Sequence, residues 1–190
     1  MSGARALLAL LALVLAGSSS PSGPRLEGIA EAQDAAAYHD AVELFSARGF
    51  DLPPVEVRFH SDESRCWGNR GQVVNGDDGV VRVHVCATNK RSETQVLWRA
   101  RTLLHELAHV WVNAAADEAT RDRFVAVRGL ERWFDPDDAW GDRGIEHSAE
   151  VLLWGLMRGE YDPDFRIESD DCRSMADGFE VLTGRRIDCR

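Results

Sequence analysis

The hydrophobic rhythm of this chain changes several times along its length. After a short start that carries Arg5, residues 6 to 17 form the unbroken apolar run "ALLALLALVLAG". Between residues 27 and 48 the spacing is helical. Ala37, Ala41, Leu44 and Phe45 share one face, and Gly49 follows as a stop. The segment "PVEVRFH" (54 to 60) has the β-branched and aromatic content of a strand, with Pro53 and Pro54 suited to its start or to an edge. In "GQVVNGDDGVVRVHVC" (71 to 86), Asn-Gly and Asp-Gly turn signals separate two β-type stretches, which predicts a hairpin folded about residues 76 to 77. Its second strand alternates: Val81, Val83 and Val85 face one way, Arg82, His84 and Cys86 the other.

The rhythm then turns helical. Ser92 with Gln95 three residues on reads as a capping box, and a helix is predicted over about 93 to 114. Further helices are expected over 117 to 133 and from Gly144 to about Met157, with another near 173 to 183. Trp98, Trp111 and Trp154 occupy helix positions and are expected in the core, with His39 and His60 as scaffold residues. Short strands followed by several helices predict an α+β fold.

The opening apolar run is about twelve residues long, against the ~20 a spanning helix needs. Its layout is that of a secretory signal peptide, assigned to residues 1 to 20 with cleavage somewhere in 16 to 24. Export, with no stable membrane insertion, is the expectation. Ser18 stands where a lipoprotein signal has cysteine, so no lipidation is expected. Residues 25 to 190 are read as a single domain, a length that allows one sizeable core. The formal charge of −10 argues against nucleic acid as a partner, because duplex binding needs basic residues against phosphates. Cys66, Cys86, Cys172 and Cys189 are an even set in an exported chain. The hairpin brings position 66 opposite 86, so Cys66–Cys86 and Cys172–Cys189 are the predicted disulfides. A cysteine zinc site would need C-x-x-C pairs, and none occurs.

Chemistry concentrates in "LLHELAHVW" (103 to 111). Residues four apart lie on one helix face, about 6 Å apart along the axis, so His105 and His109 can aim two imidazoles at one point. Glu106, turned by about 100°, is poorly set to join them but can reach a water held there. Burying these groups without partners would cost several kcal/mol, an objection that a metal removes. The pattern predicts one Zn2+ ion with Glu106 as general base and acid. A third protein ligand is then required. The longer metzincin pattern is closed by Val112 and Ala115, and Cys86 is committed to a disulfide. The helix "RGIEHSAEVLLWG" offers Glu146 and Glu150 on one face, one to bind and one to support a histidine ring. Glu118 and Glu131 compete.

At these residues the chain resembles the gluzincin family of zinc metalloproteases, within the zincin superfamily. There the third ligand opens an E-x-x-x-D stretch whose last acid supports the first histidine. The resemblance, over about residues 79 to 157, implies His105, His109 and Glu146 as ligands, Glu106 as the catalytic acid and base, and Glu150 in the aspartate's place behind His105. "HELAHVW" is also similar to aminopeptidases of that clan, although no G-A-M-E-N motif is present. The implied fold is zincin-like: a small antiparallel sheet with the hairpin, packed on the H-E-x-x-H helix and a second, glutamate-bearing helix. The implied partner is a peptide or protein substrate pairing with the strand at residues 80 to 85, and the implied activity that of a metalloendopeptidase. Tyr161, His147, Arg143 and His84 are the candidate oxyanion donors. Asn113 is assigned to helix-end capping. "NGDDG" and "DPDDAWGD" lack the spacing of a calcium loop and are read as turns and caps. Two alternatives stay open: a zinc-containing binding domain that cleaves nothing, and a zinc hydrolase of a non-peptide amide. Oligomeric state is not legible.

Overall fold

The computed structural model describes residues 23–28, 31–86, 93–158 and 171–189, and for 93–98 the backbone only. The expected signal segment, the Ser92 cap, the Trp98 side chain and Tyr161 lie outside the described residues. Among those described, the fold is α+β, with five helices and a four-stranded mixed sheet. The elements run β1 (Arg25–Leu26), α1 (Ala32–Ala47), β2 (Glu56–His60), β3 (Gly71–Asn75), β4 (Val81–Cys86), α2 (Glu93–Ala115), α3 (Glu118–Arg128), α4 (Gly144–Leu156) and α5 (Cys172–Thr183). Short 3₁₀ turns lie at Ser64–Cys66 and Trp140–Asp142.

The sheet order is β1-β2-β4-β3, with β1, β2 and β4 parallel and only the β3/β4 hairpin antiparallel. The expected antiparallel sheet is therefore corrected to a mixed one. The cause is composition. Val83 and Val85 of β4 are fully buried, so the chain passes β4's place, forms β3 first and folds β4 back beside β2. The strand "GQVVN" carries Gly71, Gln72 and Asn75, and it takes the edge. Polar, glycine-bearing strands are poor central strands, since they pack few side chains.

One face of the sheet packs on α2. Val57, Val83 and Val85 share a core with Leu103, Leu107, Ala108 and Val110 of α2 and with Ala41 and Phe45 of α1. Asp34 of α1 pairs with Arg99 of α2 at 3.0 Å, both largely buried. On its other side α2 packs on α4, which is buried from His147 to Leu156, as a helix apolar all round should be. Gly155 makes room for the Phe179 ring of α5; a Cβ there would overlap it.

Helix ends follow local chemistry. Asp117 accepts from Thr120 N at 2.8 Å, and α3 stops at Arg128 because Gly129 turns left-handed (φ 68°), short of the expected residue 133. α5 is opened by Asp171 and closed by Gly184 in the same manner. Both predicted disulfides are present, Cys66–Cys86 and Cys172–Cys189. The hairpin, however, folds about residue 78 instead of 76 to 77, so its register sets Cys86 opposite Arg70, and Cys66 meets Cys86 from the 3₁₀ turn that precedes β3. Among the described residues no helix is long and apolar enough to cross a membrane.

Candidate metal centre

The crossing of α2 and α4 puts three donor atoms together. His105 Nε2 lies 3.0 Å from His109 Nε2 and 3.0 Å from Glu146 Oε2, and His109 Nε2 lies 3.1 Å from the same oxygen. Among the described residues this is the only group of three or more His, Cys, Asp or Glu side chains able to hold a metal ion. The competing acids Glu118 and Glu131 do not join it.

The donor chemistry requires a proton or a cation at this point. His105 Nδ1 lies 2.7 Å from Glu150 Oε1, a carboxylate that is nearly fully buried, which assigns the ring proton to Nδ1. In a neutral ring the Nε2 lone pair would then face the Glu146 oxygen, two acceptors in contact. Either a second proton or a metal cation relieves that clash. Without a metal the proton wins: burial works against a charged His105, but hydrogen bonds to Glu146 and Glu150 and the charge of Glu106 outweigh it and push the pKa up to about 10. Burial likewise opposes ionisation of Glu146, yet its bonds to both histidines hold its carboxyl well below the usual range. Glu150 also pairs with Arg101 at 3.5 Å, which anchors the carboxylate from behind. His109 Nδ1 has no hydrogen-bond partner among the described residues, so the two rings are held unequally.

Glu106 is buried beside the triad, and burial raises its pKa above the ordinary carboxylate value, the direction a general base at neutral pH needs. What confines it is the edge strand. A Cβ at Gly71 would stand 2.6 Å from Glu106 Oε1 and 2.6 Å from Thr102 Cγ2. Only glycine lets β3 lie this close.

A cleft of about 600 Å³ opens over these groups. It is lined by residues 69 to 73 and Asn75 of the β3 segment, by Phe134, Trp140, Arg143 and Ile145, and by Arg101 and Asn113. The expected substrate strand, 80 to 85, is corrected here. β4 is bonded on both sides, to β2 and to β3, so it has no free edge. β3 has one. Cys86 N donates to Arg70 O and Gly76 N to Val80 O, so even-numbered residues of β3 are those bonded to β4. By the antiparallel alternation, the backbone groups of Gly71, Val73 and Asn75 point away from β4.

The candidate oxyanion donors separate. His147 is fully buried, one residue and thus about 100° round the helix from Glu146, and its Nε2 meets Gly141 O at 2.5 Å, away from the cleft. His84 lies on the outer sheet face with its ring stacked on His60, His60 Nε2 to His84 Nδ1 being 2.7 Å. Neither lines the cleft, and both are withdrawn as donors. Arg143 does line it, with its guanidinium donating to the carbonyls of Pro136 and Asp138. Asn113, assigned to capping, is a cleft residue two positions inside α2's end. His39 is exposed against Tyr38, and Trp154 is buried in the core as expected.

Sequence reasoning missed Gly71, Arg101, Phe134 and Trp140. For Gly71 a signal existed, a glycine opening an otherwise β-branched strand, a mark of close backbone approach. Arg101 stands one turn before His105 and was readable by the same helical spacing. The two aromatics sit in an irregular loop, and nothing local marks them. No family model, no curated protein and no solved structure matches this chain.

Proposed function

We propose that this chain is an exported zinc metalloendopeptidase of minimal gluzincin type, with a zincin-like fold. The observation that carries the proposal is the meeting of His105 Nε2, His109 Nε2 and Glu146 Oε2 from two helices, with a buried glutamate beside them. Zinc is favoured by the donor set of two imidazoles and a carboxylate. Three donors at tetrahedral angles about a zinc ion lie about 3.3 Å apart, and the triangle here measures 3.0 to 3.1 Å. Export is supported by the N-terminal pattern and by two disulfides, which persist in oxidising compartments.

His105, His109 and Glu146 would hold the ion, which when bound polarises a carbonyl and acidifies a water. The residues of the chain do the rest. Glu150 keeps the His105 ring in the tautomer that leaves Nε2 free to bind. An extended peptide pairs with the backbone groups of Gly71, Val73 and Asn75, which lays its carbonyls along the cleft floor. Glu106 takes the proton of the attacking water and delivers it to the departing amine nitrogen.

The test compares zinc content and digestion of a broad peptide library for the wild type, Glu106→Gln and Glu146→Gln. The expected result is that Glu146→Gln loses zinc, while Glu106→Gln keeps it and cleaves slower by about 10²- to 10⁴-fold, the usual worth of a general base. Zinc bound by all three proteins would remove Glu146 from the ligand set. Zinc bound but no peptide cut by the wild type would favour a binding domain instead.

A further inference from the structure

The carboxylate of Glu150 is gripped at both oxygens, and from the same helix. His105 Nδ1 lies 2.7 Å from its Oε1, and the Arg101 guanidinium lies 3.5 Å from its Oε2. Arg101 and His105 stand one turn apart on one face of α2. The helix that presents two candidate ligands therefore also holds the group that supports one of them. The Glu150 side chain is 2% exposed, while Arg101, at 26%, lines the cleft.

A glutamate held at one point is a poor support. It has one more side-chain torsion than aspartate, and the last of its torsions is broad, so a carboxylate bonded through Oε1 alone can turn and carry its partner with it. Holding Oε2 as well removes that freedom. With both oxygens fixed from consecutive turns of α2, the plane of the carboxylate is set, and the His105 ring is set by it. Burial adds a second demand, because a carboxylate out of water needs a paired charge. Arginine suits the place, since its guanidinium is planar and always charged. His109 has no comparable support: its Nδ1 is buried and without a hydrogen-bond partner among the described residues. The aim of the two rings at one ion thus depends on the His105 side.

From this arrangement we infer that Arg101 is a positioning residue of the metal centre: by holding Oε2 of Glu150 it fixes the His105 ring and so sets how tightly the ion is bound. The inference rests on the zinc reading of the site and adds a residue outside its ligand set. Three possible roles of Arg101 differ in sign. Acting only as a nearby cation, it would repel the ion, and its removal would tighten zinc binding. Acting only on the fold, its removal would weaken binding equally with or without Glu150. Positioning weakens binding only where Glu150 is present.

The experiment measures the zinc dissociation constant, by competition with a chromophoric chelator at fixed pH and salt, for the wild type, Arg101→Met, Glu150→Ala and the double variant. Circular dichroism follows the folding of each. Methionine keeps an apolar stem and removes the guanidinium. In the presence of Glu150, Arg101→Met is expected to weaken zinc binding about 10- to 100-fold, the usual worth of a group that supports a ligand. In the Glu150→Ala background the same change should leave binding unaltered or slightly tighter, the signature of a coupled pair. Arg101→Lys, charged but without the planar fork, should fall between the wild type and Arg101→Met. It replaces Arg101→Met in the cycle if that variant does not fold, with a smaller loss again confined to proteins that carry Glu150. Unchanged or tighter zinc binding in Arg101→Met, or equal weakening with and without Glu150, overturns the inference and leaves the ligand set standing. A wild type that binds no zinc overturns the inference and the proposed function together.

Discussion

At Gly71 the edge strand comes so near Glu106 that a Cβ would sit 2.6 Å from Oε1 and 2.8 Å from Cγ. Glu106, the proposed base, is held between β3 and α2, and its Cγ, not only its mobile end, is in the way. Gly71→Ala must therefore displace the carboxylate. A displacement of about 1 Å at a reacting group costs up to about 10²-fold in rate, so kcat is expected to fall on that scale. The atoms nearest a Cβ at position 71 belong to Glu106 and Thr102, not to His105, His109 or Glu146, so zinc content should not change. Wild-type kcat in Gly71→Ala, measured on any cleaved peptide, would show that Glu106 does not need this confinement. His105 teaches the complementary lesson. Its role is defined less by its own side chain than by Glu150 behind it, which fixes the tautomer, and by Arg101 behind Glu150.

At the scale of elements, the β2–β4 pair carries a pH dependence. His60 and His84 stack across the two strands, and burial is the first cause that lowers the pKa of both; Arg65 and then Arg58 add to it at His60, and His60 itself, then Arg58 and Arg65, at His84. Arg99 near His60, Arg82 near His84 and the opposing charge of Asp62 complete their surroundings. A histidine kept neutral in the fold refuses protons that the unfolded chain accepts. Stability is therefore full above the unfolded value of about 6.5 and falls as pH drops below it toward the folded value. Replacing both histidines with glutamine should flatten this slope. Thermal unfolding midpoints between pH 7.5 and 5 would read it, and equal slopes in variant and wild type would refute the assignment. The second element pair that matters is α2 against α4. Their packing brings two sequence-distant motifs into contact, and Gly155 lets α5 close on α4 from behind.

For the molecule as a whole, the disulfides divide the labour between stability and site. They close loops of 20 and 17 residues, and a loop of that length is worth about 3 kcal/mol in the chain-entropy account. Cys66–Cys86 joins the approach to β3 to the end of β4, so it braces the cleft wall that carries Gly71. Cys172–Cys189 ties the tail to α5, remote from the cleft. Replacing either pair with alanines should lower unfolding free energy in urea by about 2–4 kcal/mol. Only loss of Cys66–Cys86 should also lower kcat/KM, and equal kinetics in the two variants would contradict that division.

How much was readable beforehand follows from the range of the interactions involved. The i, i+4 spacing of His105 with His109 and of Glu146 with Glu150 is a property of the helix itself, so each pair was visible as a pair. The hairpin is equally local, but its register sets Cys86 opposite Arg70, so the Cys66–Cys86 bond depends on the 3₁₀ turn at Ser64–Cys66 as well. Strand order is not local. Placing β3 at the edge and β4 inside depends on how the valines of β4 bury against α2, and the free edge lies at residues 71–75 and not at 80–85 for that reason. His147 looked available from its neighbours in sequence, but the turn of α4 points it at Gly141. Amino-acid order alone determined which side chains could act together on one helix or one turn. Only tertiary packing, where burial across distant segments decides which faces meet, set Arg101 against Glu150, Gly71 against Glu106 and Trp140 in the cleft.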